Sequence, residues 1–360
     1  MTLEARILRQ DKFLEFAAAL IEDHEVIAPV GEGSSGGFSY GKIASATDLV
    51  YPRDAGRCAA KPAKSLKEFF FPGREVLLEY HLGGDGGHPE GIGTVTPPIA
   101  KETRVILGAY PCDVAAFPIL DKLFTWDYLD SFYLEARERT VLISLACETP
   151  CETCFCTALG GSPADVEGSD ILLTPLEGVC HVQVVTERGK ALVESYQAFF
   201  ETSDPAYDRE RRLFEERARA RIADVLSDDV TDLHERLDFD DPVWETIAQQ
   251  CIDCGICTFL CPTCHCFDIQ DEGSSTQGER VRLWDACMFY NYTKAHAGQP
   301  RAQHYRRYRQ RIMHKFRYYP ENFGRALCVG CGRCIEHCPA NIDLRAVLHR
   351  ASTSRATAGK

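Results

Sequence analysis

The stretch CIDCGICTFLCP (251–262) holds four cysteines, Cys251, Cys254, Cys257 and Cys261, and closes on Pro262. The same spacing, C-x2-C-x2-C-x3-C-P, returns at Cys328, Cys331, Cys334 and Cys338, followed by Pro339. Three thiolates at such short intervals can hold three irons of one cubane, while the fourth, set off by proline, reaches the cluster of the other run. The spacing therefore predicts one [4Fe–4S] cluster on Cys251, Cys254, Cys257 and Cys338. A second falls on Cys328, Cys331, Cys334 and Cys261. Gly255 and Gly332, in CGIC and CGRC, stand where the backbone must bend tightly and bring N–H groups to sulfur. Structural zinc, the rival for any cysteine cluster, is commonly bound by two separated pairs of ligands and accounts poorly for two full runs with proline.

Taken whole, the composition is that of an ordinary soluble globular protein: 360 residues, 45% hydrophobic, 26% charged. Eighteen cysteines in a chain of this size point to metal or redox chemistry rather than to a disulfide scaffold. A net charge of −13 argues against nucleic-acid or membrane-surface binding. Apolar runs such as FAAALI fall short of a membrane span, and MTLEARILRQDKFLEF has neither the apolar core nor the cleavage site of a signal peptide. Cytoplasmic localisation is the expectation.

The predicted fold is an α/β N-terminal domain (1–203) plus an α-helical, ferredoxin-like dicluster C-terminal domain (243–350). DKFLEFAAALIEDHEVIAPV reads as an amphipathic helix running into a strand, and TRVILGAY, RTVLISLAC, SDILLTPL and CHVQVV as further strands with helices between. A charged helical linker (204–242), rich in acidic residues and arginine, separates the domains, and 351–360 reads as a disordered tail. GEGSSG (31–36) matches G-x-G-x-x-G, but GFSYGKIAS, next in the chain, reads as strand rather than helix, so a flexible loop is expected there. LGGDGGHPEGIG (82–93) lacks Gly-Lys-Ser/Thr and reads as a mobile surface loop.

Between the two cysteine runs lies a long insert whose segment 286–320 holds many lysines and arginines and no acidic residue. Such cations could offset the negative charge of a four-thiolate cluster and raise its potential, or dock an acidic partner protein. Cys264, Cys266 and Cys287 have no obvious fourth partner. They read as small buried hydrophobes near a cluster, with an additional metal or persulfide site as the alternative.

CIDCGICTFLCPTCHCFDIQDE, RVRLWDACMFYNYTKAHAG and CVGCGRCIEHCPANIDL, together with KEFFFPGREVLL, ILGAYPCDVAAFPILDKLF and CETPCETCFCTALGGSP, carry a family resemblance across most of residues 60–350. The chain resembles the beta (iron–sulfur) subunit of cytosolic nickel–iron hydrogenases (sulfhydrogenases) and its counterpart in anaerobic sulfite reductase. The resemblance implies a hetero-oligomer in which this chain carries electrons between flavoprotein and catalytic redox subunits. Tyr110 departs from the family pattern, which has arginine before PCD.

Cys147, Cys154 and Cys156 follow one apolar strand and Cys112 follows another. If those strands are neighbours, all four thiols sit at the carboxyl edge of one sheet, where open α/β sheets gather ligands. The resemblance points to the same four, so a third [4Fe–4S] cluster is expected on Cys112, Cys147, Cys154 and Cys156. Cys151 is the alternative to Cys147, and a purely structural group of thiols is the alternative to the cluster. No catalytic constellation stands out. Two rival functions stay open: a self-contained oxidoreductase acting on a substrate or flavin in the N-terminal domain, and a zinc-binding interaction module.

Overall fold

The computed structural model describes residues 4–32, 37–50, 61–81, 103–222, 226, 232–274 and 277–358. The glycine loops at 33–36 and 82–93, and Cys58, lie outside the described residues, as do 223–225 and 227–231 of the expected linker. Eleven strands are present among the described residues: β1 (Glu4–Arg9), β2 (Glu25–Gly31), β3 (Phe38–Lys42), β4 (Arg74–His81), β5 (Arg104–Ala109), β6 (Thr140–Leu145), β7 (Ile171–Pro175), β8 (Val179–Val184), β9 (Phe200–Thr202), β10 (Phe267–Gly273) and β11 (Gln277–Trp284).

Eight of them form one sheet in the order β3-β2-β5-β6-β7-β8-β1-β9. Its centre, β2-β5-β6-β7, is parallel, and the flanks are antiparallel. Every residue of β6 is buried, as a central strand with both faces covered requires. Side chains alternate between the faces. Val105, Leu107, Val141 and Ile143 pack beneath the helix Phe13–Asp23, whose Phe13, Phe16, Ala17 and Leu20 recur at helical spacing. Ile106 and Leu142 point the other way, onto Phe117, Leu120 and Tyr133 of the helices Phe117–Trp126 and Ser131–Glu138. Each such buried apolar side chain contributes about 1.5–3 kcal/mol relative to exposure. The parallel pairing of β5 with β6 is what brings Cys112 and Cys147, which follow those two strands, to the same sheet edge.

The expectation of an α-helical second domain needs correcting. β10 and β11 form an antiparallel hairpin there, and β4, from the N-terminal half, completes a three-stranded sheet on β11. EVLLEY lacks the strict apolar–polar alternation of a strand, and its partner lies about two hundred residues away. The expected tail also differs: the last helix, Leu344–Ala358, runs well past residue 351, and Ala351 is buried in the second core with Trp244 and Leu348. Within the linker, the helix Pro205–Arg219 exposes most of its charge but seats Phe214 and Ala218 against the protein. Among the described residues no helix is long and apolar enough to cross a membrane.

Candidate metal centres

All the described cysteines are free of disulfides. Cys251, Cys254 and Cys257 are wrapped by two consecutive reversals: Asp253 has φ 58° and Gly255 φ 74°, and the short helix Ile256–Phe259 starts there. A side chain at Gly255 would meet the Phe289 ring at 2.6 Å, so glycine is needed for space as well as for φ. One cavity is lined by these three thiols and by Cys338 from the distant run, with Tyr308, Met288, Arg311 and Cys334 completing it. Ile342 donates its backbone N–H to Cys338 Sγ at 3.4 Å. This surface quartet reaches solvent, since Cys254 and Ile252 are exposed.

Cys328, Cys331, Cys334 and Cys261 form a middle quartet deeper in the protein. Lys315 donates Nζ to Cys261 Sγ at 3.2 Å and to Leu327 O at 2.9 Å, and Gly330 N–H lies 3.5 Å from Cys328 Sγ. Burial pushes the Cys328 and Cys334 thiols up to about 12. Cys261 is held well below the ordinary thiol value by a hydrogen bond from Cys264, with Lys315 adding to it. Binding iron to the raised thiols must displace their protons.

The third group sits where the sheet edge meets the middle quartet. Cys112, Cys147, Cys151, Cys154 and Cys156 line one cavity together with Tyr110, Lys61 and Cys331. Cys151 lines this cavity just as Cys147 does. Burial raises Cys112 and Cys156, the latter to about 12. The loop 151–156 is clamped onto the second cysteine run: Phe155 N–H donates to Gly330 O at 2.9 Å. At Gly330, φ 64°, an added Cβ would fall 2.5 Å from Cys156 N.

Several observations fit clustered, negatively charged groups at these thiols. Arg307, Arg311 and Lys315, four residues apart on the helix His304–Met313 and its π continuation His314–Tyr318, are each at most 6% exposed and face inward. Arg307 pairs with Asp253. Arg311 and Lys315 make no carboxylate pair among the described residues. Burial opposes the Arg311 charge, but the thiols of Cys257 and Cys334 outweigh it and its pKa rises. Among the described residues Arg311 Nε and the Tyr110 hydroxyl are buried without a hydrogen-bond partner, each lining a thiol cavity. Such groups carry a desolvation cost unless an acceptor joins them. Cys251 Sγ, an Asp253 carboxylate oxygen and a His304 ring nitrogen lie within 4.8 Å of one another beside the surface quartet.

Sequence reasoning foresaw the basic insert but not which cations turn inward, and it missed three side chains. Arg333, inside CGRC, is fully buried and forms a bidentate pair with Asp113 at 2.7 Å on both arms. Lys61 donates to Cys331 O at 2.8 Å. Lys67 donates to Cys264 O at 2.9 Å and lies 4.0 Å over the Trp284 ring. Arg333 could have been suspected from its place between two cysteines of the second run. Lys61 and Lys67 gave no signal, because their partners lie far along the chain.

Of the surplus thiols, Cys264 contacts Cys261, and Cys266 pairs with Cys287. A hydrogen bond from Cys287, aided by the Tyr292 hydroxyl, holds Cys266 below the usual thiol range. Cys266 should therefore be alkylated by iodoacetamide at a lower pH than a free thiol, since its thiolate persists there. Tyr292→Phe should move that profile upward. Peptide mapping of the modified protein reads both, and an unshifted profile for Cys266 would count against the pair.

Residues 250–342 match the family model described as a 4Fe-4S dicluster domain. Across 340 residues the chain is 30% identical to sulfhydrogenase 2 subunit beta of Pyrococcus furiosus, covering 93% of this chain and 95% of that protein. At that identity over nearly the whole of both chains, the chain belongs to the family of sulfhydrogenase beta subunits, iron–sulfur proteins of electron transport.

Proposed function

We propose that this chain is the electron relay of a hetero-oligomeric oxidoreductase, holding three [4Fe–4S] clusters between flavoprotein and catalytic redox subunits. The surface quartet would hold the first, the middle quartet the second, and Cys112, Cys147, Cys154 and Cys156 the third. When bound, each cluster supplies a one-electron couple. The observation that carries the reading is contiguity: Cys334 of the middle quartet lines the surface cavity, and Cys331 of the same quartet lines the sheet-edge cavity. The middle quartet thus adjoins both others, which is the arrangement a relay needs.

The protein's own residues insulate and orient. Phe155 and the Trp244 core keep water from the interior, and N–H groups of Gly330 and Ile342 point at thiol sulfur. Exposure of Cys254 and Ile252 opens the surface quartet to a partner. A pair donor such as a reduced nicotinamide requires a flavin to divide the pair. The carboxyl edge of the sheet, where an α/β protein would bind one, is lined with thiols here.

The test is a count of iron, acid-labile sulfide, zinc and flavin in the chain purified without oxygen. About twelve irons and twelve sulfides with no flavin are expected. About eight of each would make the sheet-edge thiols structural. Bound flavin would favour a self-contained oxidoreductase, and zinc in place of iron an interaction module.

A further inference from the structure

The buried cations are unequally shared among the three thiol groups. Lys315 donates directly to Cys261 Sγ, a member of the middle quartet alone. Arg311 lines the surface cavity beside Cys257 and Cys334, one thiol from each quartet, and donates to Cys257 O at 3.3 Å. Lys61 lines the sheet-edge cavity and donates to Cys331 O of the middle quartet. Its carboxylate partner, Glu336 at 3.3 Å, is 43% exposed and partly screened by solvent, whereas the Lys61 side chain is 6% exposed. Arg333 adds little net charge, because Asp113 cancels it at contact distance. The middle quartet therefore faces the buried cations Arg311, Lys315 and Lys61, with Lys67 beyond them at Cys264 O, and each neighbour faces one of the first three.

We propose that Arg311, Lys315 and Lys61 make the middle centre the electron reservoir of the relay, the first to be reduced. Arg311 and Lys61 act as counter-cations that it shares with its neighbours. The inference rests on the three-cluster reading above. A cluster bound to four thiolates gains one negative charge on reduction, so a fixed buried cation favours the reduced state, and the effect falls with distance. No proton or further reactant is needed for balance: each centre takes up one electron. Three cations in a low-dielectric interior outweigh the solvent exposure that favours reduction at the surface quartet.

The experiment is a reductive titration of the complete, cluster-loaded chain under nitrogen, followed by electron paramagnetic resonance. Iron is counted in the same samples. Lys315→Gln should lower one midpoint potential. Arg311→Gln and Lys61→Gln should each lower two, and the centre moved by all three variants should be the first reduced in the parent protein. If a glutamine variant loses iron, Arg311→Lys and Lys61→Arg displace the charge without removing it and should move the same pairs of centres by less. The proposal is overturned if Arg311→Gln moves one centre only, or if the centre common to all three variants is reduced last. An iron count near eight in the parent would overturn the three-cluster reading itself, a result separate from any pattern of shifts.

Discussion

Asp113→Ala is expected to destabilise the protein by about 3–5 kcal/mol, the range for removing one partner of a buried ion pair. Arg333 and Asp113 are both fully buried, and their two 2.7 Å contacts are bidentate. Tyr40 donates its hydroxyl to Asp113 at 2.8 Å, and Arg333 Nε donates to Pro62 O at 2.9 Å. With the carboxylate gone, the guanidinium stays in the interior without compensation. The position adds a functional loss: Asp113 follows Cys112, and Arg333 lies between Cys331 and Cys334. Breaking the pair loosens two thiol-bearing segments together, so iron content should fall as well. Urea unfolding of the cluster-loaded protein followed by circular dichroism reads the first effect. The double variant Asp113→Leu with Arg333→Met should recover much of the loss, since paired apolar replacements are often neutral or better. Tyr40→Phe should cost only about 0.5–1.5 kcal/mol, one hydrogen bond. A single Asp113→Ala change within ~1 kcal/mol of the parent would mean the pair's desolvation has been overstated.

Cys338→Ala should remove about four irons, and they should be the irons held by Cys251, Cys254 and Cys257 rather than by its own run. Cys338 lines the cavity of those three thiols, and the Ile342 N–H fixes its sulfur there. Cys261→Ala should correspondingly empty the middle quartet, where Lys315 holds its sulfur. Identity is decided by pairing the changes. Cys338→Ala and Cys251→Ala should abolish the same resonance signal, and the double variant should lose no more iron than either alone. If Cys338→Ala instead matches Cys328→Ala, the ligation is local and the crossing is wrong.

The parts of this arrangement legible in the sequence are those set by short-range chemistry. Cysteine spacing with a following proline, positive-φ glycines beside cysteines and the apolar strand runs around 104–109 and 140–145 all depend on neighbours within a few residues. The Cys112 and Cys147 juxtaposition was legible too, because consecutive parallel strands place their ends side by side. β4 was not, since a strand that pairs about two hundred residues away carries no local mark of its partner. Neither was the choice of inward cations. In HYRRYRQRIMHK many residues are basic, and only packing decides that Arg307, Arg311 and Lys315 turn inward while Arg306 and Arg309 stay at the boundary. Nor could spacing choose between Cys147 and Cys151, which share one cavity.

The exchange of β4 into the β10–β11 sheet has a consequence for how the protein is made. β4 finds its hydrogen-bonding partner in β11, and Lys61 meets Cys331 across a sequence separation of 270. During translation the first half must wait with an unpaired strand edge and an incomplete thiol pocket until almost the whole polypeptide has emerged. Long-range pairings of this kind close late, and open edges invite wrong partners in the interval. A ribosome-stalled fragment ending before residue 277 is therefore expected to be a substrate for chaperones rather than for cluster-assembly factors.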